Sequence, residues 1–284
     1  MNELELIKDY QSGMKTTEMV KKHHCSTTTI TKIIDANNIP RRAKKANRHK
    51  DLSRFYLLSE PETQYWLGYI CADGNVQYSV ETGMYKLSLF SKDIEIIDKF
   101  VEYFGQDNVG RHTRKQNGIN EVYICSKELC KYLVEELNIV PNKSLVLNPN
   151  LEYTSHFIRG YFDGDGCIRS NVNTVRYEVK FTSGSKCFLD SVKAVLDIEG
   201  ITCRISKRKD CNAHDLLVYN KDNIALLYQY LYKDASVYLG RKHDIFVALC
   251  GKPTSDNRVN CGNDVDNPQP IQQLTELAGS TTNP

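Results

Sequence analysis

An α+β fold of two pseudo-symmetric halves, preceded by a small all-α unit, is predicted for this 284-residue chain by three observations. Residues 51–250 repeat their own pattern. Each copy opens on a helix-like stretch that closes on Asp-Gly, and then runs through an α-β-β-α-β-β-α order of periodicities. The first 40 residues carry three short helical patterns and no strand-like alternation.

The elements follow in order. Leu4, Leu6, Ile7 and Tyr10 form the apolar side of a first helix, and Met19 and Val20 fall in a second that Thr16 or Thr17 could cap. His24-Cys25-Ser26-Thr27 reads as a turn. Ile30, Ile33 and Ile34 then recur at helical spacing until Pro40 ends the pattern. This rhythm resembles the small helix-turn-helix units of resolvases and transcription regulators, which implies a third helix presenting Thr28, Thr29, Thr31 and Lys32 to DNA. RRAKKANRHK, residues 41–50, has no large apolar residue and reads as a basic linker suited to phosphates, led by Arg41 and Arg42.

The two copies align without a gap at WLGYICADG (66–74) and IRGYFDGDG (158–166). Strand-like YKLSLF (85–90) and RYEVKF (176–181) follow, then helical IEIIDKFVEYFG and FLDSVKAVLDIEG. Basic strand-like pieces come next, RHTRK (111–115) and RISKRK (204–209). VYICSKELCKYLVEEL and LLVYNKDNIALLYQYL close each copy as strand into helix. The expected organisation is a helix-turn-helix-like segment (1–40), a basic linker (41–54), a first half (55–150), a second half (151–250) and a disordered polar tail (251–284). Pro141-Asn142-Lys143-Ser144 through Asn150 reads as the connector between halves, and VYLGRKHDIF is its counterpart near the end of the second.

Composition excludes several classes. Hydrophobic residues make up 40% and charged residues 25%, ordinary for a globular protein. No apolar run approaches a membrane span and the N-terminus lacks a signal-peptide core, so an intracellular protein is expected. The ten cysteines form no C-x-x-C pair and read as reduced thiols. Cys203, Cys211 and His214 do not fit a common zinc spacing. Net charge is only +2, but residues 1–50 hold eleven Lys/Arg against five Asp/Glu. The positions of basic residues therefore matter more than their total.

Within the motif helices, Gly68 and Ala72, and Gly160 and Gly164, stand four apart and share a face. Small residues at that spacing let two helix backbones approach closely, leaving Trp66, Ile70, Tyr161 and Phe162 to fill the two cores. Gly74 and Gly166 are expected to take a left-handed turn that ends each helix. Asp73 and Asp165 then sit together at two helix C-termini. The helix dipole and their mutual repulsion both oppose ionisation there. A divalent cation relieves both, and oxygen ligands including helix-end carbonyls suit Mg²⁺.

These residues resemble the two-motif, single-chain LAGLIDADG homing endonucleases, over roughly residues 55–250. The resemblance implies two halves with saddle-shaped antiparallel sheets lying in the major groove, and the eighth-place acids Asp73 and Asp165 holding Mg²⁺ (or Mn²⁺) with help from Ala72 and Gly164. It implies double-strand DNA cleavage across the minor groove at a long, nearly palindromic target, by a monomer that needs no protein partner. It further suggests that a basic residue from the strand-to-helix junction of each half, Lys127 and Lys221, faces the active site. Arg111, Arg114, Lys115, Arg169, Arg176, Lys180, Lys207, Arg208 and Lys209 are the candidate DNA contacts on strand-like segments. The chain departs from the consensus at Cys71, where the second copy keeps Asp163, and Arg159 fits the common variant FIRGYFDGDG. The rival readings are a cleavage-inactive RNA-splicing maturase of the same fold and a helix-turn-helix regulator. Intein splicing is not expected, because the splicing residues are missing from the termini.

Overall fold

A computed structural model describes residues 2–41, 51–113, 118–171 and 176–251. Arg42, Arg114, Lys115, most of the basic run and the tail after Gly251 lie outside the described residues. Contacts divide the chain into two compact units, Met1–His49 and Lys50–Pro284.

The first unit is a three-helix cluster: α1 (Glu3–Gln11), α2 (Thr16–His23) and α3 (Thr27–Ala36). Leu6, Met19, Ile30, Ile33 and Ile34 form its own core. Ser26 caps α3 by accepting from Thr29 N at 3.1 Å. The N-cap of α2 is Lys15, with no side-chain cap bond. Thr16 and Thr17 are already inside that helix and do not cap it.

After a 3₁₀ turn at Ser53–Tyr56, the second unit runs α4 (Pro61–Asp73), β1 (Gly74–Ser79), β2 (Met84–Ser91), α5 (Ile94–Phe104), β3 (Gly110–Thr113), β4 (Asn120–Ile124) and α6 (Lys127–Lys131). α6 continues into a π-helical turn, Tyr132–Glu136. The order then repeats as α7 (Ser155–Asp165), β5 (Gly166–Asn171), β6 (Arg176–Ser183), α8 (Lys186–Ile198), β7 (Cys203–Lys207), β8 (His214–Tyr219) and α9 (Lys221–Tyr232). A further helix, α10 (Gly240–Cys250), is the last element of the described residues.

Each half carries one four-stranded antiparallel sheet, β1-β2-β4-β3 and β5-β6-β8-β7. One face of each sheet packs on helices. In the first it is Val76, Leu87, Leu89, Val122 and Ile124; in the second Ile168, Val179, Phe181, Leu216 and Val218, all buried. α5 meets its sheet with Ile96, Ile97, Phe100 and Phe104, and α8 with Phe188, Leu189, Val192 and Leu196, the 3–4 spacing of an amphipathic helix. α4 is different. Thr63 through Cys71 are buried without a break, so it lies in the interior between the halves. As expected, Trp66 and Ile70 enter the first core, Trp66 edge-on to Phe100 at 5.3 Å. Phe162 enters the second against Phe181 at 5.3 Å, and Tyr161 against Phe188 at 4.5 Å. No helix of the described residues is long and apolar enough to cross a membrane.

Candidate functional site

The site is built on the α4–α7 seam. The two helices run parallel, Gly160 against Tyr65 and Tyr69, Gly68 against Phe157 and Tyr161, and Gly164 against Ala72. A Cβ on Gly68 would stand 2.8 Å from the Tyr161 nitrogen and nearer still to the Phe157 carbonyl oxygen. A Cβ on Gly160 would stand 2.8 Å from the Tyr65 carbonyl carbon and 3.0 Å from the Tyr69 nitrogen. The seam is therefore backbone on backbone, as the small-residue spacing required.

Parallel packing brings both C-termini to one end. Asp73 and Asp165 are the last residues of their helices, and the Asp73 carboxyl carbon lies 3.5 Å from where a Cβ on Gly164 would stand. The glycines that follow are not left-handed. Gly74 has φ −76° and Gly166 φ −87°, extended backbone that leads straight into β1 and β5. They are small for another reason. A side chain on Gly74 would meet Ile70, its Cα at 2.8 Å, and one on Gly166 would meet the Phe162 ring.

Electrostatics oppose negative charge on this pair. Burial pushes the Asp73 carboxyl up, opposed by Lys242, a hydrogen bond from Tyr69, and Lys143. Asp165 has its carboxylate at the surface of a recess lined by Cys71, Lys143, Tyr161 and Ser183. Desolvation, and then the Asp73 charge, push it up to about 6. Tyr161 occupies in the second copy the place of Tyr69 and donates to the Thr182 carbonyl at 2.7 Å.

Two buried lysines that the sequence reading left in connectors flank this pair. Lys143 donates to the carbonyl of Gly74, at the end of α4. Lys242 donates to the carbonyls of Phe162 (2.7 Å), Asp163 (2.8 Å) and Gly166 (2.6 Å), with Gly164 at 3.4 Å. These are the orphan carbonyls of a helix end, where a cation is favoured. Burial holds both ammonium groups below the usual lysine range, Lys242 at about 8. Each aspartate feels most strongly the lysine that caps the opposite helix: Asp73 feels Lys242 before Lys143, and Asp165 feels Lys143 before Lys242.

The two lysine segments are also braced across the seam. Ser185 of the second half donates to the Leu147 carbonyl at 2.6 Å, just past Lys143. Asp93 of the first half accepts from Arg241 at 3.0–3.1 Å, and Glu95 accepts from Gly240 N at 3.2 Å, just before Lys242. The second half adds a third anchor, for Asp163 Oδ2 accepts from Leu239 N at 2.7 Å and from the Tyr65 hydroxyl at 2.9 Å. Arg159, fully buried, donates to the Leu231 and Val237 carbonyls at 2.7 and 2.9 Å and so fixes the approach to α10. Cys71 and Leu67 stand where these two would be in the first copy, so the halves are not equivalent.

Neither Lys127 nor Lys221 lies at the paired carboxylates. Lys127 is exposed on the helix side of its sheet, its Nζ 5.6 Å from the centre of the Tyr85 ring. Tyr85 pairs with Tyr78, five residues along β1 from Asp73, or about 16 Å at strand rise. Lys221 is exposed at the start of α9 and acts on Cys250, which is eight residues beyond Lys242, about 12 Å along α10.

Register sorts the basic strand residues. Paired residues of an antiparallel ladder share a face. Arg111 pairs with Val122 and therefore lies on the helix-packed face, where it donates to Asp98 at 2.8 Å. It is not on the open face. Arg169 pairs with Glu178, and Lys180 with Cys167 and Leu217, on the open face of the second sheet. Arg204, not singled out from sequence, joins them opposite Leu217. Lys180 contacts Glu178 at 3.2 Å. Arg176 begins β6 opposite Asn171. Lys207 ends β7 on the parity of the packed face, and Arg208 and Lys209 occupy the exposed β7–β8 turn. The first sheet's open face is nearly neutral: Lys86 is paired with Glu121 at 2.5 Å and His112 stands across from Glu121.

In the N-terminal unit, Thr28, Thr31 and Lys32 are exposed on α3. Thr29 shares a hydrogen bond with Ser26 at 2.9 Å, and Thr31 donates to the Thr27 carbonyl at 3.0 Å. Arg41 is engaged with Asp35 at 2.8 Å. Among the described residues no group of three or more His, Cys, Asp or Glu could hold a metal, the Cys203–His214 region included. The donor set at the seam is two carboxylates with the helix-end carbonyls of Ala72 and Gly164. It is all oxygen, the ligand chemistry that Mg²⁺ takes.

Comparison with known proteins agrees with this architecture. Residues 152–232 match the LAGLIDADG-like domain family. The uncharacterized protein MJ0398 of Methanocaldococcus jannaschii is 26% identical over 199 residues, 67% of this chain and 69% of that one. DNA-directed RNA polymerase subunit Rpo1C of the same organism is 31% identical over 141 residues, 46% of this chain, and this chain spans only 15% of it. Among solved structures, the homing endonuclease I-WcaI bound to its DNA recognition sequence superposes with a TM-score of 0.50 at 20% identity, over 62% of this chain and 82% of that one. The chain thus carries a LAGLIDADG-like domain at residues 152–232 and has the LAGLIDADG homing endonuclease fold.

Proposed function

We propose that this chain is a site-specific, divalent-metal-dependent endonuclease that cuts both strands of duplex DNA. The observation that carries the reading is the convergence of Asp73 and Asp165 at two parallel helix ends, where burial and mutual repulsion hold Asp165 well above the usual carboxylate range. A protein gains nothing in stability from such a pair, because each carboxylate faces a helix C-terminus and the other's charge. Perturbed acids of this kind mark functional sites.

Asp73 and Asp165, with the carbonyls of Ala72 and Gly164, are the residues that would hold Mg²⁺ or Mn²⁺. Such a cation supplies an activated water and charge stabilisation for the leaving oxygen of a phosphodiester. The chain's own contribution is positional. Gly68, Gly160 and Gly164 let the helices close until the carboxylates share one space. Lys143 and Lys242 cap the helix ends and place fixed positive charge beside the aspartates, suited to a phosphate that becomes more negative at the transition state. This role replaces the one first assigned to Lys127 and Lys221. Arg169 and Arg204 give the second sheet's open face two arginines for a DNA backbone or guanine edges, while Lys180 is held between Glu178 and Asp215. The first sheet's open face is more polar than charged, which suits base contacts.

The test is cleavage of the uninterrupted DNA from a locus that matches the gene's flanks but lacks the gene. Purified full-length chain with Mg²⁺ should convert that duplex to two double-stranded products, and chelation should abolish cutting. Tight binding without cutting in Mg²⁺ and Mn²⁺ would remove the enzyme claim.

A further inference from the structure

We infer that Asp163 is a positioning residue that makes the two strand cuts unequal: it holds the start of the helix that carries Lys242, so the strand beside Lys242 is cut first. This holds on the endonuclease reading above, and gives that reaction an order.

Lys242 stands in the first turn of α10, whose N-cap is Leu239 and which has no side-chain cap of its own. The Leu239 carbonyl accepts from Lys242 N at 3.1 Å and from His243 N at 3.2 Å. The Leu239 N–H is the group that Asp163 takes, at 2.7 Å. Asp163 is 1% exposed, and the same carboxylate oxygen accepts from the Tyr65 hydroxyl at 2.9 Å. Tyr65 belongs to α4 and Asp163 to α7. One carboxylate therefore pins the start of the lysine's helix to both motif helices. Lys242 completes the link by donating to the Phe162, Asp163 and Gly166 carbonyls. Its ammonium is held from two sides, by the backbone it caps and by the helix start that Asp163 fixes.

The first half has no such hold. In the repeat Cys71 takes the place of Asp163, and Phe157 the place of Tyr65. A thiol and a phenyl ring cannot supply the carboxylate and the hydroxyl. Cys71 is buried, and with Lys143 it lines the recess beside Asp165. Lys143 begins a 3₁₀ turn of only three residues, after Asn142 in a left-handed conformation (φ 55°) and with no side-chain cap. Leu145 and Val146, next along the chain, are 58% and 60% exposed. The ties of this segment are the Lys143 bond to the Gly74 carbonyl and the Ser185 bond to Leu147. Two lysines at two helix ends serve two scissile phosphates, one per strand. A charge already fixed in place costs no reorganisation as the phosphate becomes more negative, whereas a less firmly held one must first be placed. The Lys242 side is the prepared side, and Asp163 prepares it.

The experiment is a single-turnover cleavage time course in Mg²⁺ on the uninterrupted-locus duplex, with a different label on each strand. It compares the full-length chain with Asp163→Cys, which puts into the second copy the residue that the first carries. The wild type should cut one strand first, so that a duplex nicked in that strand accumulates. In Asp163→Cys the cut of that strand should slow about tenfold, as a displaced charge implies, while the other stays within about twofold. Asp163→Asn, which keeps an oxygen for Leu239 and Tyr65, should restore the wild-type order. Both strands are read in one reaction, so a smaller folded fraction lowers both alike and leaves their ratio unchanged. Should Asp163→Cys not fold, Tyr65→Phe takes one donor from the same carboxylate and should shift the ratio in the same direction. Equal wild-type rates on the two strands, equal slowing of both in the variant, or slowing of the second strand alone would overturn the inference while leaving the nuclease reading intact. A wild type that binds the duplex and cuts neither strand would overturn both.

Discussion

Substituting Gly160 by alanine tests the helix seam. Mid-helix, alanine is favoured over glycine by about 1 kcal/mol, so at an unconstrained site the change would stabilise the protein. Here the added methyl would stand 2.8 Å from the Tyr65 carbonyl carbon and 3.0 Å from the Tyr69 nitrogen, and closer to the Tyr65 oxygen. Ordinary contact starts near 3.4 Å. Every obstacle is backbone of α4, so no rotamer change relieves it, and the helices must part by on the order of 1 Å. Overpacking of this kind costs about 1–3 kcal/mol, and the propensity gain offsets only part of it. Because Asp73 and Asp165 ride on these helices, the same displacement should slow DNA cutting by about 10²-fold. Urea denaturation should show a lower midpoint with unchanged slope, and cleavage assays the slower rate. A Gly160→Ala chain more stable than wild type and equally active would refute the close-packed seam.

Other consequences concern the lysines, the buried acid and the open faces. Lys242→Met leaves several helix-end carbonyls without a partner; a loss of about 2–4 kcal/mol and a large loss of cutting are expected, whereas Lys127→Met and Lys221→Met should change neither by more than about twofold. Burial raises Asp163 to about 6 from the usual 3.8. The folded chain then holds a proton between about pH 4 and 6 that the unfolded chain has released. The stability tied to this group is therefore full below about pH 4 and lost as pH rises through 6, by on the order of 3 kcal/mol. Asp163→Asn keeps an oxygen for Tyr65 and Leu239, so denaturation across pH 4–7 should show the wild type losing stability relative to the variant; parallel curves would exclude the effect. Arg204→Ala should weaken DNA binding and lower the salt slope by about 1, while Arg111→Ala, bound to Asp98 on the packed face, should leave the slope unchanged.

The sequence was most informative where physics is local or repeated. Small residues four apart pointed to close helices, and Asp-Gly at the end of each copy's opening helix placed the two carboxylates. What was not legible depended on tertiary context. Lys143 and Lys242 lay in segments read as a connector and its counterpart, although VPNKS and LGRKH carry a lysine at matching places. Nothing local reveals that each turns inward to cap a helix four strands earlier. Arg111 was misjudged because RHTRK is polar throughout, so alternation could not choose a face, and only pairing with Val122 decides it. Arg204 was missed although Cys203 and Ile205 alternate around it and mark the other face as packed. Gly74 and Gly166 were expected to need positive φ, but they are small because Ile70 and Phe162 crowd them. Arg159 and Asp163 looked like departures from a motif; they brace the approach to α10, a helix the repeat itself did not announce.

The central claim is that Asp73 and Asp165 act together across the seam to cut both strands. Its most direct test is cleavage of a duplex labelled separately on each strand, by wild type, Asp73→Asn and Asp165→Asn in Mg²⁺. The account predicts double-strand cutting by the wild type only, with each variant losing double-strand products while still binding the duplex. Undiminished double-strand cutting by either variant would contradict it.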